Sequence, residues 1–337
     1  MNSFGRLFRI SIFGESHGES VGIVIDGCPA GLSLMVDDFL SDLERRKGGT
    51  QKGTTPRQEE DLPIFKSGIF NNITTGAPIT ILFENKNIRS SDYEKQRAIP
   101  RPGHADFVAR AKAGGFEDYR GSGHFSGRLT VALVAAGVIA KKLLNQIKIE
   151  SKILEIAGET DLDKGLQKAI DNKDSIGGII ECKVIGLPIG LGEPFFDSAE
   201  SQLAHIVFAI PAVRGIEFGT GFAAAKMFGS QHNDAIENME GKTKTNHAGG
   251  IVGGLTNGNE LVFRIAIKPT SSTAKEQTTL NWETEKIETV SVKGRHDLCI
   301  ALRVPVILEA VTAIVLADLL LVEQRIKRVL TPNPILR

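Results

Sequence analysis

The stretch from Val304 to Val322 is apolar at almost every position and long enough to cross a bilayer. It carries Glu309 and Asp318, nine residues apart and so on opposite faces of a helix. Charges on both faces are costly in lipid, which makes this run part of a helix buried inside a protein, expected from about Pro305 to Lys327. A second apolar helix fits about Ser126 to Ile147. Helices that are apolar all round need covering on every side. Strand-like runs at Leu7–Phe13, Val21–Asp26, Ile79–Phe83, Ile179–Ile185 and Glu260–Lys268 can supply the layers. Shorter amphipathic helices fit Met35–Arg46 and Ser198–Phe208. Strands and helices lack the rhythm of βαβ units, and no Pro/Ser/Gly linker divides the chain. The expectation is an α+β fold: a layered β-α-β sandwich with long central apolar helices between antiparallel-rich sheets, one domain over residues 1–337.

The 40 Lys and Arg balance the 40 Asp and Glu. That argues against a general binder of nucleic acid or of acidic membranes, and leaves room for a local basic pocket. Cys28, Cys182 and Cys299 lie far apart, which suits a reducing compartment and offers no disulfide framework. Neither the His nor the Cys spacing makes a metal cage. The N-terminus lacks the apolar run of a signal peptide, so a cytoplasmic location is expected.

Several glycine-containing loops carry the candidate chemistry. Gly14-Glu15-Ser16-His17-Gly18 matches the G-x-S-x-G nucleophile elbow, but the elbow needs strand–turn–helix and here a strand follows. It reads equally as a strand-to-strand turn presenting Ser16 and His17, or as a bare glycine turn. Arg101-Pro102-Gly103-His104-Ala105-Asp106 offers a guanidinium fork and a titratable imidazole, or only a surface ion pair. Arg120-Gly121-Ser122-Gly123-His124-Phe125-Ser126-Gly127-Arg128 opens the first long helix and can cradle an anion there, or simply give the helix a tight entry. Asn246-His247-Ala248-Gly249-Gly250, continuing to Gly254, can form a backbone nest. Lys268-Pro269-Thr270-Ser271-Ser272 gathers a cation and hydroxyls. Gly294-Arg295-His296-Asp297, with Arg303 beyond, precedes the last helix, and Arg45-Arg46-Lys47 ends an early one. These residues point to a small, multiply anionic substrate, histidine acid–base groups and a glycine-cradled cofactor. They do not specify a reaction.

Taken in order, the segments around His17, His104, Asn246–Ile251, Lys268–Ser272 and Gly294–Asp297 resemble the signatures of the chorismate synthase family over essentially the whole chain. Arg214–Gly219 and Gly190–Pro194 add to the resemblance. It implies a lyase of the shikimate pathway, serving aromatic amino-acid biosynthesis. The reaction would be anti-1,4-elimination of phosphate from 5-enolpyruvylshikimate 3-phosphate, dependent on reduced FMN. By the same resemblance His17 would protonate the leaving phosphate, His104 would tune the flavin, and Asp297 would act in removing the C6 proton. Ser16, Arg46, Arg101, Arg128 and Arg303 would bind substrate. Flavin contacts would fall at His124, Phe125, Ser126, Pro211, Ala212, Gly253, Lys268, Pro269, Thr270, Ser271, Ser272 and Arg295. Arg46 and Lys52 would meet NADP, with NADPH acting only indirectly through flavin reduction. The resemblance further implies a homotetramer and, with no added reductase segment, a monofunctional enzyme served by a separate flavin reductase. Three departures stand out: His124-Phe125 replaces the family's usual Arg-Ser, Leu298 stands for a Pro, and Lys52 for an Arg. A non-catalytic flavin- or phosphate-binding paralogue and a serine hydrolase using Ser16 are the rival readings.

Overall fold

The structure is a computed structural model that describes residues 1–49, 51–88, 97–292, 296–328 and 330. Chain alternation builds a first antiparallel sheet from β1 (Ser3–Phe4), β2 (Arg9–Gly14), β3 (Ser20–Asp26), β4 (Ile64–Ser67) and β5 (Ile79–Glu84), in the order β1-β2-β3-β5-β4. Val21, Ile23 and Ile25 on β3 and Ile79, Ile81 and Phe83 on β5 point to the same buried face, as the period of two requires. A second antiparallel sheet contains β6 (Lys148–Ile156), β7 (Gly178–Ile185), β8 (Val213–Phe218) and β9 (Leu261–Ile267), in the order β8-β9-β7-β6. Its buried face carries Ile180, Cys182, Val184, Leu261, Phe263 and Ile265.

Between the sheets lie the two long helices, α3 (Thr130–Leu144) and α6 (Val304–Val322). Helix α3 packs on β2, β3 and β5, whereas α6 packs on β6 and β7, and the two helices pack against each other. At their crossing a Cβ on Gly137 would sit 2.3 Å from the Cβ of Ala310, so close approach there excludes any larger residue. Of the most apolar window of the run that could span a membrane, 89% is buried inside the protein. The layered α+β sandwich expected from the sequence is the architecture observed. Helix α1 (Asp37–Arg46), α2 (Asp106–Ala113), α4 (Leu162–Asn172) and α5 (Ala199–Val207) lie around this centre.

The two charges of α6 have separate uses. Asp318 accepts the backbone N–H groups of Arg6, Leu7 and Phe8 at 2.9, 2.7 and 2.8 Å, pinning the N-terminal segment to the helix. Glu309 accepts both Nη atoms of Arg45 at 2.7 Å, Lys141 Nζ at 3.0 Å and Ser151 N at 3.1 Å, joining α1, α3 and β6. A buried carboxylate is tolerable only with such partners.

The strands match the sequence expectation to within a residue or two. Helix α3 begins later than expected, because Ser126 caps a short 3-10 turn, Gly127–Leu129, that precedes it. Helix α6 ends at Val322 rather than Lys327, as the chain turns through Gln324 at a φ of +57°.

Candidate active site

Loops from both sheets and the starts of both long helices converge on one cavity of about 530 Å³. Among the described residues eight cationic side chains line it, Arg46, Lys47, Arg57, Arg101, Arg128, Arg214, Lys268 and Arg303, against three carboxylates, Glu59, Asp61 and Asp297. In a chain with no net charge this excess marks an anion site.

Arg46 comes from the last turn of α1 and Arg128 from the 3-10 turn before α3. Both converge on Asp61: Arg46 Nη2 donates to Oδ2 at 2.8 Å, and Arg128 Nη1 donates to Oδ1. Burial opposes ionisation of Asp61, but Arg46 and Arg128 outweigh it and hold the carboxyl below its usual range. Burial and then Arg46 pull Arg128 down, with Asp61 opposing. Arg303, just before α6, is likewise pulled down by burial. It donates to Asp297 Oδ2 at 3.0 Å and to the Arg46 carbonyl at 2.8 Å. Asp297 also accepts Thr55 N at 2.9 Å.

Opposite stands the loop of Arg101 and His104. Arg101 Nε and Nη2 grip Asp106 at 2.8 and 2.7 Å, and Nη1 reaches Ser272 Oγ at 2.9 Å. His104 Nδ1 lies 2.6 Å from Asp106 Oδ1. Lys268 Nζ and Ser271 Oγ both donate to the Gly103 carbonyl, at 2.7 and 2.8 Å, clamping the Lys268–Ser272 loop to this one. Phe125, Pro211, Ala212 and Pro269 add apolar wall between the polar ends, and Ser126 and Thr270 complete that side. Ligand sites commonly combine apolar walls and a few convergent polar groups at this size.

Ser16 and His17 sit in the turn between β2 and β3. Ser16 lines the cavity, fully buried, with its Oγ accepting from Arg57 Nη1 at 3.1 Å. Because a strand follows the turn, the strand–turn–helix context of a hydrolase elbow is absent. His17 lies behind it and does not line the cavity among the described residues. A Cβ on Gly121, whose φ is +57°, would come within 2.0 Å of His17 Nδ1, so a glycine is needed there to admit the ring. Burial, followed by Arg57, pushes the His17 pKa down.

Three other expected positions fall elsewhere. His124 turns its Nδ1 to the Gly14 carbonyl at 2.9 Å and faces a neighbouring cavity. Gly253 is in the tight turn between Ile251–Val252 and Leu255–Thr256, and Lys52 bonds Gln167 at 3.4 Å; neither lines the site. Arg295 lies outside the described residues. Burial raises the thiols of Cys28, Cys182 and Cys299 to about 12, 12 and 11, so none is poised as a nucleophile.

A family profile described as chorismate synthase matches residues 8–321. The chain belongs to the chorismate synthase family. It is 70% identical to a chorismate synthase of Chitinophaga pinensis over 98% of this chain and 99% of that one. A chorismate synthase of Dehalococcoides mccartyi is 46% identical over 98% of this chain and 99% of its own. A crystal structure of chorismate synthase superposes with a TM-score of 0.68 at 27% identity, covering 95% of this chain and 93% of that one.

Several residues of this site escape sequence reasoning: Arg57, Glu59 and Asp61. Arg57 Nη2 donates to Glu59 at 2.7 Å while Nη1 holds Ser16, so the 57–61 segment braces the His17 turn as well as the arginine pair. In Arg57-Gln58-Glu59-Glu60-Asp61, Glu59 and Asp61 turn inward and Glu60 outward. That alternation is an extended-chain signal, masked because every acidic position looks equally fit for solvent.

Proposed function

We propose that the chain converts 5-enolpyruvylshikimate 3-phosphate to chorismate by anti-1,4-elimination of phosphate and the C6 proton, with reduced FMN as cofactor. The observation that carries this reading is the gathering of eight cations around one cavity in a chain of zero net charge. A substrate bearing a phosphate and two carboxylates answers that charge, and guanidinium forks suit its planar and tetrahedral anions.

The donor set also fits a phosphorylated flavin. Lys268, Thr270, Ser271 and Ser272 offer a cation and hydroxyls, the clamp on Gly103 holds that loop in place, and Phe125, Pro211 and Ala212 offer apolar surface to a ring. The reduced flavin would supply electron density that assists phosphate departure. Arg46, Arg128 and Arg303 would orient the substrate, with Arg101 and Ser16 beside them. His104 would hold a proton at the flavin edge, and Asp297 would take part in accepting the C6 proton.

His17 would be the acid for the leaving phosphate. Burial and Arg57 lower its pKa and so favour the neutral ring in the free protein. An approaching phosphate dianion reverses the local field, so substrate binding should draw a proton onto the ring.

We further take the chain to be one domain and a monofunctional enzyme of the cytoplasm, assembled as a homotetramer. It would take reduced flavin from a separate reductase, so that NADPH acts at one remove. An anaerobic assay with reduced FMN and 5-enolpyruvylshikimate 3-phosphate tests the reading: phosphate and chorismate should appear together. Flavin binding without product would instead support the non-catalytic paralogue.

A further inference from the structure

His104 stands in the wall between the larger cavity and a smaller one of about 210 Å³, together with Ala105, Ser122 and Phe125. Its two ring nitrogens have different partners. Nδ1 lies 2.6 Å from Asp106 Oδ1, and a carboxylate only accepts, so Nδ1 carries the proton. Arg101 Nη2 also approaches Nδ1, at 3.1 Å, but has true acceptors in Asp106 Oδ1 at 2.7 Å and Ser122 Oγ at 2.8 Å. In the neutral ring Nε2 then presents its lone pair, 3.3 Å from Ser122 Oγ. Since that hydroxyl already accepts from Arg101, its own hydrogen is left to point at Nε2.

The backbone at Ser122 is unfavourable for serine. Its φ is +70°, between Gly121 at +57° and Gly123 at +50°. Glycine adopts this region at no steric cost, and serine does not. What serine adds to the turn is the hydroxyl. A strained residue whose side chain bridges two site groups is a candidate for function.

We propose that Ser122 is a positioning residue for His104: while Asp106 fixes the Nδ1–H form, the Ser122 hydroxyl bonds Nε2, holds that edge of the ring in place and passes protons between Nε2 and the cavity. In each passage the oxygen gives one hydrogen and takes another, so nothing else changes. The charged groups around the ring are Arg101 and Asp106 on its own segment, Glu117 and Asp118 before Ser122, Lys268 across Gly103, Arg214 beyond it, and Glu15, Arg97 and His124 around the smaller cavity. The positioning stands on this geometry alone; its effect on turnover rests on the lyase reading above.

The test uses ¹⁵N NMR of histidine-labelled full-length protein, with the His104 signals assigned by their loss in His104→Gln. Wild type should show the Nδ1–H form. Ser122→Ala and Ser122→Gly should keep that tautomer, which Asp106 sets, and should both move the Nε2 resonance downfield as its hydrogen bond is lost. Ser122→Gly should also melt a few degrees higher than wild type, because the strain is gone. With reduced FMN and substrate, both variants should lose about tenfold in kcat, part of what general acid–base catalysis supplies. A serine with a merely structural role would instead let activity follow stability, with glycine the better replacement. An unchanged Nε2 resonance in both variants overturns the proposal whatever the turnover. If wild type makes no chorismate, the lyase reading falls and the NMR result still decides this one.

Discussion

Arg45 and Arg46 are neighbours on α1, yet they serve opposite kinds of cluster. Arg45 reaches Glu309 on α6, where Lys141, the Ser151 N–H and a second carboxylate, Asp42, complete the set. Its side chain is 44% exposed, so that cluster keeps one side in water. Arg46 is 4% exposed and shares Asp61 with Arg128, which is equally buried. The first cluster meets its carboxylates from partly hydrated cations and ties helices together. The second holds two buried cations on a single carboxylate beside a cavity, with Arg46 Nε left without a hydrogen-bond partner among the described residues. A helix turns about 100° per residue, so adjacent side chains can face different surroundings. A saturated cluster stabilises the fold; an over-charged one calls for an anion.

Removing each carboxylate should separate the two most sharply. Asp61→Asn leaves Arg46 and Arg128 buried together without an anion and should cost about 3–5 kcal/mol. Glu309→Gln lets Arg45 and Lys141 turn to water and should cost about 1–2 kcal/mol. Urea unfolding of both variants measures the difference, and equal costs would break the comparison. Next come the arginines themselves. Arg46→Met should lower kcat/KM about 10²–10³-fold, the cost of losing one partner of a buried charge contact. Arg45→Met should leave it within about threefold while lowering stability. A similar loss in both would make Arg46 another structural pair.

Inorganic phosphate sharpens the same contrast without substrate. At roughly ten times its Kd, phosphate should raise the melting temperature by about 2–3 °C. The rise should persist in Glu309→Gln and vanish in Arg128→Met. Persistence in Arg128→Met would place phosphate elsewhere.

The same contrast explains what could be read in advance. The α6 run shows in the sequence because burial selects composition at every position, and Glu309 and Asp318 stand out within it. The five main strands show through alternation. The site is legible where a rigid turn concentrates unusual residues, as at Arg101–Asp106 and Lys268–Ser272. It is not legible at Asp61, whose φ of +54° and fully buried carboxylate belong to a charged stretch that reads as solvated. Nor is it legible at Ser122, where a hydroxyl replaces nothing visible until the fold brings His104 beside it, 18 residues back in the chain. His17 was found by its motif, but its place behind Ser16 depends on the fit against Gly121. Such features are set by long-range contacts, and local pattern carries no trace of them.

The smallest expected effect concerns His17, which belongs to neither cluster but is biased by Arg57 in the segment that leads to Asp61. Burial and Arg57 lower its pKa from 6.5, so the folded protein binds its proton less readily than the unfolded chain. Its contribution to stability is complete above 6.5 and is lost as pH falls from there to the lowered folded value. One proton sets the ceiling, about 1.4 kcal/mol per pH unit. Wild type should therefore lose stability between pH 7.5 and 5.5 more steeply than His17→Asn, by chemical denaturation at each pH. Saturating phosphate should flatten the wild-type slope, because the anion favours the protonated ring that the arginine disfavours. Parallel slopes in wild type and His17→Asn would mean that the ring titrates alike folded and unfolded, and the coupling of His17 to the arginine site would be lost.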